Sequence, residues 1–171
     1  MSKENLFNEE ALKKLKELAE GIRIAIMETN LKSIPSHTIP MSTKEVDKDG
    51  CIWFLSSDKS VHNQNINEDH SIQLIFSNPA EMKFLTVFGQ AIIYSGRVVL
   101  ERYYQSTDDA WFDGIDDPDL TAIKVIPREA HYWDTKNGKF ITLLKMGLSA
   151  ITGDKQDLGE QGDLNISTKK K

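Results

Sequence analysis

The chain has 171 residues, of which 39% are apolar and 27% charged, enough to bury the core of one globular domain and too apolar for a disordered or fibrous chain. Its formal charge is −5, and three of its 21 basic residues are the terminal Lys169, Lys170 and Lys171, so the folded part is more acidic still and disfavours nucleic acid as a partner. The single cysteine, Cys51, excludes an intrachain disulfide and a multi-thiolate zinc site; no run approaches the ~20 apolar residues that cross a bilayer, so no membrane is expected as a partner and the cytoplasm is the default compartment.

Residues 8–20 predict a helix, because Leu12, Leu15, Leu18, Ala19 and Ile22 recur at three- and four-residue spacing. Asn8 is placed as its N-cap, Glu9 and Glu10 in its first turn, and Gly21 as its stop. The period then changes to two: Ile22, Ile24 and Ile26 alternate with Arg23, Ala25 and Met27, which predicts a strand. A second strand covers 37–44, where Pro40 points to an edge, a bulge or a break in the ladder. Asp47-Lys48-Asp49-Gly50 reads as a tight hairpin turn and 51–57 as the returning strand, with Cys51 as a buried strand thiol.

Residues 60–69 read as a short polar helix or loop, and Ile72, Leu74 and Phe76 mark a strand ended by Ser77-Asn78-Pro79. Residues 84–95 form a long strand in which Gly89 marks a bulge or a close approach. Residues 98–104 are helical, 108–119 an acidic loop that holds Trp111 and Phe112, and 121–126 and 129–134 a final pair of strands around Pro127-Arg128. Residues 140–151 have the spacing of an amphipathic helix, and from 153 onward the chain is polar. The domain is therefore placed at 1–153, with 154–171 as a weakly ordered tail. Many short strands without a glycine-rich βαβ unit favour a barrel, since closure removes unpaired edges.

Simple catalytic motifs are weak. Ser56-Ser57-Asp58-Lys59 matches a bare Ser-x-x-Lys pattern without its companion motifs, and no nucleophile elbow, phosphate loop or His-Glu-x-x-His is present. His37, His62, His70 and His131 do not pair at ligand spacing, and Asp113, Asp116, Asp117 and Asp119 lack the spacing of a calcium loop, so no metal is assigned. Two regions remain. Around His37-Thr38-Ile39-Pro40-Met41 and Ser56 to His62, two strands end beside a hydroxyl-rich turn carrying Lys59 and His62. Such a turn suits a phosphate, and the apolar strand floor suits a flat aromatic ring. The second region, Ala110-Trp111-Phe112, buries its aromatics against its own core or against a partner.

The order of these segments resembles the general stress protein 26 group of the pyridoxamine 5′-phosphate oxidase-like, FMN-binding split barrels. The carriers are His37-Thr38-Ile39-Pro40-Met41, Ile52-Trp53-Phe54 with the serines after it, Ser60-Val61-His62, Ile72 to Phe76, Phe84 to Gly89, Ala110 to Gly114 with Asp117-Pro118, and Tyr132-Trp133-Asp134. The resemblance implies a mainly β (α+β) protein, a six-stranded antiparallel split β-barrel with flanking helices. It implies a homodimer with FMN, or FAD or another flavin, in clefts between the subunits. His37, Thr38, Ile39, Pro40, Met41, Ser56 and Ser57 would contact the flavin and its ribityl chain, Lys59, Ser60 and His62 would lie at the phosphate, and Trp111 and Phe112 of the second subunit would close the site.

Two positions depart from many relatives, which carry Arg where this chain has Ile39 and Lys where it has His62. Lys59 compensates, or His62 binds as imidazolium, in which case FMN affinity weakens as pH rises from about 6 to 8.5. Three functions follow from the resemblance: a flavin-dependent oxidoreductase of undetermined substrate, a flavin-sequestering stress protein without turnover, and a dimer that has lost its cofactor. Pyridoxamine 5′-phosphate oxidase activity itself is disfavoured, because residues 132–153 do not show the basic set that holds that substrate's phosphate.

Overall fold

The computed structural model describes residues 2, 3, 5–135 and 159–166. Two short strands, β1 (Ser2–Lys3) and β2 (Leu6–Phe7), lead into α1 (Asn8–Ile22). Ala11, Leu15, Leu18 and Ala19 form its buried stripe, at the spacing of one helical face. Asn8 makes no side-chain cap and takes a φ of 51°, so the favourable charge at this end comes from Glu9 and Glu10. The helix runs past Gly21 and closes at Arg23, whose φ of 71° lets its N–H bond to Ala19 O before the chain turns straight into a strand.

Six strands then close a barrel: β3 (Ile24–Thr29), β4 (His37–Val46), β5 (Ile52–Ser57), β6 (Ser71–Asn78), β7 (Lys83–Tyr94) and β8 (Leu120–Asp134). Their order is β8-β5-β4-β3-β6-β7, and β7 pairs back to β8, every pair antiparallel. Between β5 and β6 lies α2 (Val61–Glu68); between β7 and β8 lie α3 (Arg97–Tyr103) and a 3-10 turn, Ser106–Ala110. The hairpin turn before β5 is organised by Asp47, whose carboxylate accepts 2.9 Å bonds from Asp49 N, Cys51 N and Trp53 Nε1. Gly50 supplies the positive φ, +80°.

The two strands expected around Pro127 are one strand, β8. The reason lies on its neighbour. The register of β7 shifts between Phe88 and Gly89, which puts Gly89 opposite Pro127. A Cβ on Gly89 would stand 2.5 Å from the Ile126 carbonyl oxygen, so this close approach admits only glycine. The bulge absorbs the missing N–H of Pro127, and β8 continues through it.

The barrel is split beside β4. That strand pairs with β5 only from Thr43 to Val46, with a register shift between Thr43 and Glu45, while its first half has β3 as its one neighbour. Pro40 lies in that first half, opposite Ile26, where an edge tolerates proline.

One core fills the barrel and is capped by α1, with Met27, Phe54, Ile72, Leu74, Phe76, Leu85, Ile123 and Tyr132 fully buried. A second lies outside it. Trp53, Leu55, Leu100, Tyr103, Leu120 and Ala122 pack together, with Trp53 stacked on Tyr103 at 4.6 Å between ring centroids. Strand β5 is thus covered on both faces, its even positions facing the barrel and its odd positions the second cluster.

A last strand, β9 (Glu160–Asn165), pairs antiparallel with the end of β8 and parallel with β1 and β2. It falls where the sequence predicts a weakly ordered tail. Gly162 and Leu164 are buried by its alternation, and Lys14 of α1 reaches both Asp134 (2.5 Å) and Glu160 (3.0 Å), which fastens β9 to the barrel. The helix expected over 140–151 lies outside the described residues.

Candidate functional site

The first half of β4 and the end of β5 are not paired with each other, and α2, which packs on β7 and β3, reaches both through its first turn: the His62 ring lies over His37, and His62 and Asn63 meet Ser56. Ser60 caps α2 by accepting from Asn63 N at 3.2 Å, which turns Asn63 fully inward. Its amide donates to Thr121 Oγ1 at 3.0 Å and accepts from Ser56 Oγ at 2.8 Å, and Thr121 stands opposite Ser56 in the β5–β8 ladder. His62 Nε2 lies 2.6 Å from the same Ser56 oxygen. The Ser56 hydroxyl has one proton and gives it to Asn63, so His62 donates through Nε2–H.

His62 is 5% exposed. Burial, with the neighbouring His37 adding a smaller push, brings its pKa down to about 4. This favours the neutral ring between pH 6 and 8.5 and weighs against the imidazolium alternative drawn from the sequence, since charging the ring would leave a cation inside a neutral hydrogen-bond network. His62 is placed here as a neutral donor.

Strand alternation divides the run from His37 to Met41. Thr38 and Pro40 are exposed, His37 and Ile39 half-buried, and Met41 belongs to the barrel core. The His37 ring lies parallel to that of His62, with 6.3 Å between centroids, and its Nε2 is buried with no hydrogen-bond partner among the described residues. Ser57 and Ser60 are half-buried at the crevice edge. Lys59 is exposed, and its ammonium is held 2.7 Å from Asp119, whose hydrogen bond and charge raise its pKa. Thus His37, His62, Ser56 and Ser60 are brought together by ring stacking and hydrogen bonds around the crevice beside β4, Ser57 lies next to them at the end of β5, Thr38 is on the other face of β4, Met41 belongs to the barrel core, and Lys59 faces away to Asp119.

Trp111 and Phe112 separate. Phe112 packs against the second cluster, while Trp111 is 82% exposed. Their loop is tied to β4 by Lys44 and Asp108, a largely buried pair 2.8 Å apart, so the indole stands on an anchored support. In the acidic stretch after it, Asp117 accepts from Asp113 N and Asp119 N. Among the described residues no cluster of His, Cys, Asp or Glu is arranged to hold a metal ion, and no helix is long and apolar enough to cross a membrane. Two cavities lie elsewhere, one of about 560 Å³ beside Arg128 and Asp163 and one of about 270 Å³ lined by Glu20, Arg23, Thr43, Lys44 and Gln105.

Sequence reasoning missed Asn63 and Thr121, which fix the positions of Ser56 and His62. The available signal was the spacing Ser60-x-x-Asn63, which puts an amide in the first turn of a capped helix. It also missed the face of β3: Ala25 and Met27 point inward and Ile24 and Ile26 outward, 49% and 39% exposed.

A family model described as pyridoxamine 5′-phosphate oxidase like matches residues 10–157. Among solved structures, a protein designated general stress protein 26 from Jannaschia sp. CCS1 is 23% identical, with a TM-score of 0.76 over 91% of this chain and 98% of that one. A Clostridium acetobutylicum protein related to general stress protein 26 is 22% identical, with a TM-score of 0.64 over 77% and 94%. The general stress FMN/FAD binding protein of Xanthomonas citri is 19% identical, with a TM-score of 0.63 over 74% and 90%. No curated protein matches. At these identities the structures show a shared split-barrel fold. The family match covers most of the sequence, from α1 through the barrel, and on that ground the chain belongs to the pyridoxamine 5′-phosphate oxidase-like family.

Proposed function

We propose that the protein is a flavin-binding stress protein that acts as a homodimer, with FMN or another flavin in the crevice beside β4 and a second copy closing it. The observation that carries this reading is an apolar row on the outer barrel surface. Pro40, Ile26 and Ile75 are register neighbours across β4, β3 and β6, and all three are exposed. Ile24 and Phe88, 49% and 38% exposed, flank the row on the same sheet surface. An apolar band of this kind on a β-barrel wall is covered by a partner in a stable assembly. It begins at Pro40, at the crevice edge, so the surface that pairs two copies also borders the ligand.

The neutral parts of a flavin fit the residues present. The orphaned His37 Nε2 needs a hydrogen-bond partner, and the Ser57 and Ser60 hydroxyls suit a polyol chain. A bound flavin would supply one- or two-electron redox chemistry. The protein's own part is to hold the ring, exclude water with the second subunit and place Trp111 near the partner's crevice. The name of the Xanthomonas citri structure supports the ligand class. We assign an oxidoreductase role of undetermined substrate. A second reading, flavin sequestration without turnover, is favoured by His62, which is committed to Ser56 rather than offered to a substrate.

The purified protein tests both. Flavin absorbance in a species of twice the chain mass supports the assembly, and a colourless monomer that takes up no added flavin refutes it. Bleaching by reduced nicotinamide followed by reoxidation with an added acceptor supports turnover; a flavin that stays oxidised supports sequestration.

A further inference from the structure

We propose that the crevice selects a flavin by its ring and ribityl chain and gains nothing from the 5′-phosphate, so that riboflavin binds at least as well as FMN. This rests on the flavin reading above and refines it. The argument is a census of charge. Among the first half of β4, the end of β5 and the stretch from Asp58 to Asn65, Lys59 is the one lysine or arginine. Its ammonium is already held by Asp119 at 2.7 Å, and Asp58 and Asp117 add further negative charge around it. A phosphate placed here meets no free cation, since the one ammonium nearby is turned to Asp119 and already neutralised.

The remaining donors do not reverse that balance. The N-terminus of α2 offers about half an elementary charge, and its cap hydroxyl, which accepts from Asn63 N, adds only a neutral donor. Ile39 is apolar and packs against the barrel core, and Val61, the first residue of α2, is apolar and 53% exposed. His62 is buried, bonded to Ser56 and neutral at physiological pH. A dianion that leaves water without a compensating cation loses more than it gains, whereas uncharged hydroxyls and ring heteroatoms pair with Ser57, Ser60 and His37 at no such cost. Ile39 and His62 thus share a consequence: the cradle carries no charge, while the surfaces that meet the uncharged part of the ligand are present.

The test is a parallel titration of the full chain with riboflavin and with FMN, read by flavin fluorescence or calorimetry at 50 mM and 500 mM salt. The expected result is a riboflavin dissociation constant equal to or lower than that of FMN, with riboflavin indifferent to salt. FMN binding more than about tenfold tighter, in a salt-sensitive manner, would mean that a cation from the partner subunit reaches the phosphate and would overturn the inference alone. If neither ligand binds, the flavin reading fails and this inference falls with it. Asp119→Asn, which frees Lys59 on the surface, is expected to shift the preference toward FMN by several-fold; an unchanged ratio would count against the charge argument.

Discussion

Ser56 Oγ lies 2.6 Å from His62 Nε2 and gives its own proton to Asn63, so the histidine and the serine form a closed internal pair at the end of the barrel. A histidine held in this way is a stability element as well as a wall of the crevice, and its titration carries a definite sign. Burial lowers the folded pKa to about 4, below the ordinary 6.5 of the unfolded chain. Between those values the unfolded state binds the proton and the folded state does not, so stability falls as pH drops from 6.5 toward 4 and is fully present above 6.5. The span corresponds to roughly 3 kcal/mol. Urea unfolding of the wild type and of His62→Gln between pH 4 and 7.5 checks this: the wild type should lose more stability on acidification than the variant, and parallel curves would exclude the histidine as the source.

Asp47 gathers three donors, from Asp49, Cys51 and the Trp53 indole. Asp47→Ala leaves the last two as unpaired donors at buried positions. The expected loss is about 2–4 kcal/mol, with Asp47→Asn intermediate because it keeps one acceptor oxygen. Denaturant midpoints and the wavelength of tryptophan emission report both effects.

Gly89→Ala sets a methyl group against the Ile126 carbonyl at the bulge. The contact is with backbone, which has nowhere to move without breaking the β7–β8 ladder. Destabilisation of about 1–3 kcal/mol is expected, visible as a lower Tm; an unchanged Tm would mean that the bulge can open without cost.

Ile26→Glu and Ile75→Glu place charge on the outer row while leaving the barrel interior untouched. Each is expected to convert the proposed dimer to a monomer in analytical ultracentrifugation with an unchanged circular dichroism spectrum. Variants that remain dimeric would move the interface to another face.

Lys14 keeps a raised pKa although burial acts to lower it, because Asp134 and Glu160 hold it by hydrogen bonds and charge. Lys14→Ala strands Asp134, which is 4% exposed, at a cost of about 3 kcal/mol. Amide exchange should quicken across β9 first, since that strand loses its link to α1.

Much of the barrel was legible in the sequence. Asp47 to Gly50 reads as a hairpin turn, Gly89 as a bulge or a close approach and Pro40 as an edge, a bulge or a break, because each depends on backbone rules that the residue type carries with it. The single course of β8 was not legible, since what permits Pro127 is a glycine 38 positions away on another strand. The outward isoleucines of β3 were hidden for a different reason: a period of two identifies a strand but not which of its faces looks inward. Around Ser56 and His62 the sequence offers the residue types but not their commitments. Whether a histidine is a cation for a ligand or a neutral donor for a serine depends on burial, and local sequence does not state it. Strand β9 was missed because only Gly162 and Leu164 face inward, too few to make an apolar pattern.

Strand β5 has barrel core on one side and the Trp53 cluster on the other. Helix α3 and the loop bearing Trp111 therefore cannot detach without exposing the back of a wall strand, and the wall cannot open without stripping that outer layer. The two cores should melt in one transition, with amides of β5 exchanging only through global opening. The platform that presents Trp111 then stays in place for as long as the barrel itself is folded.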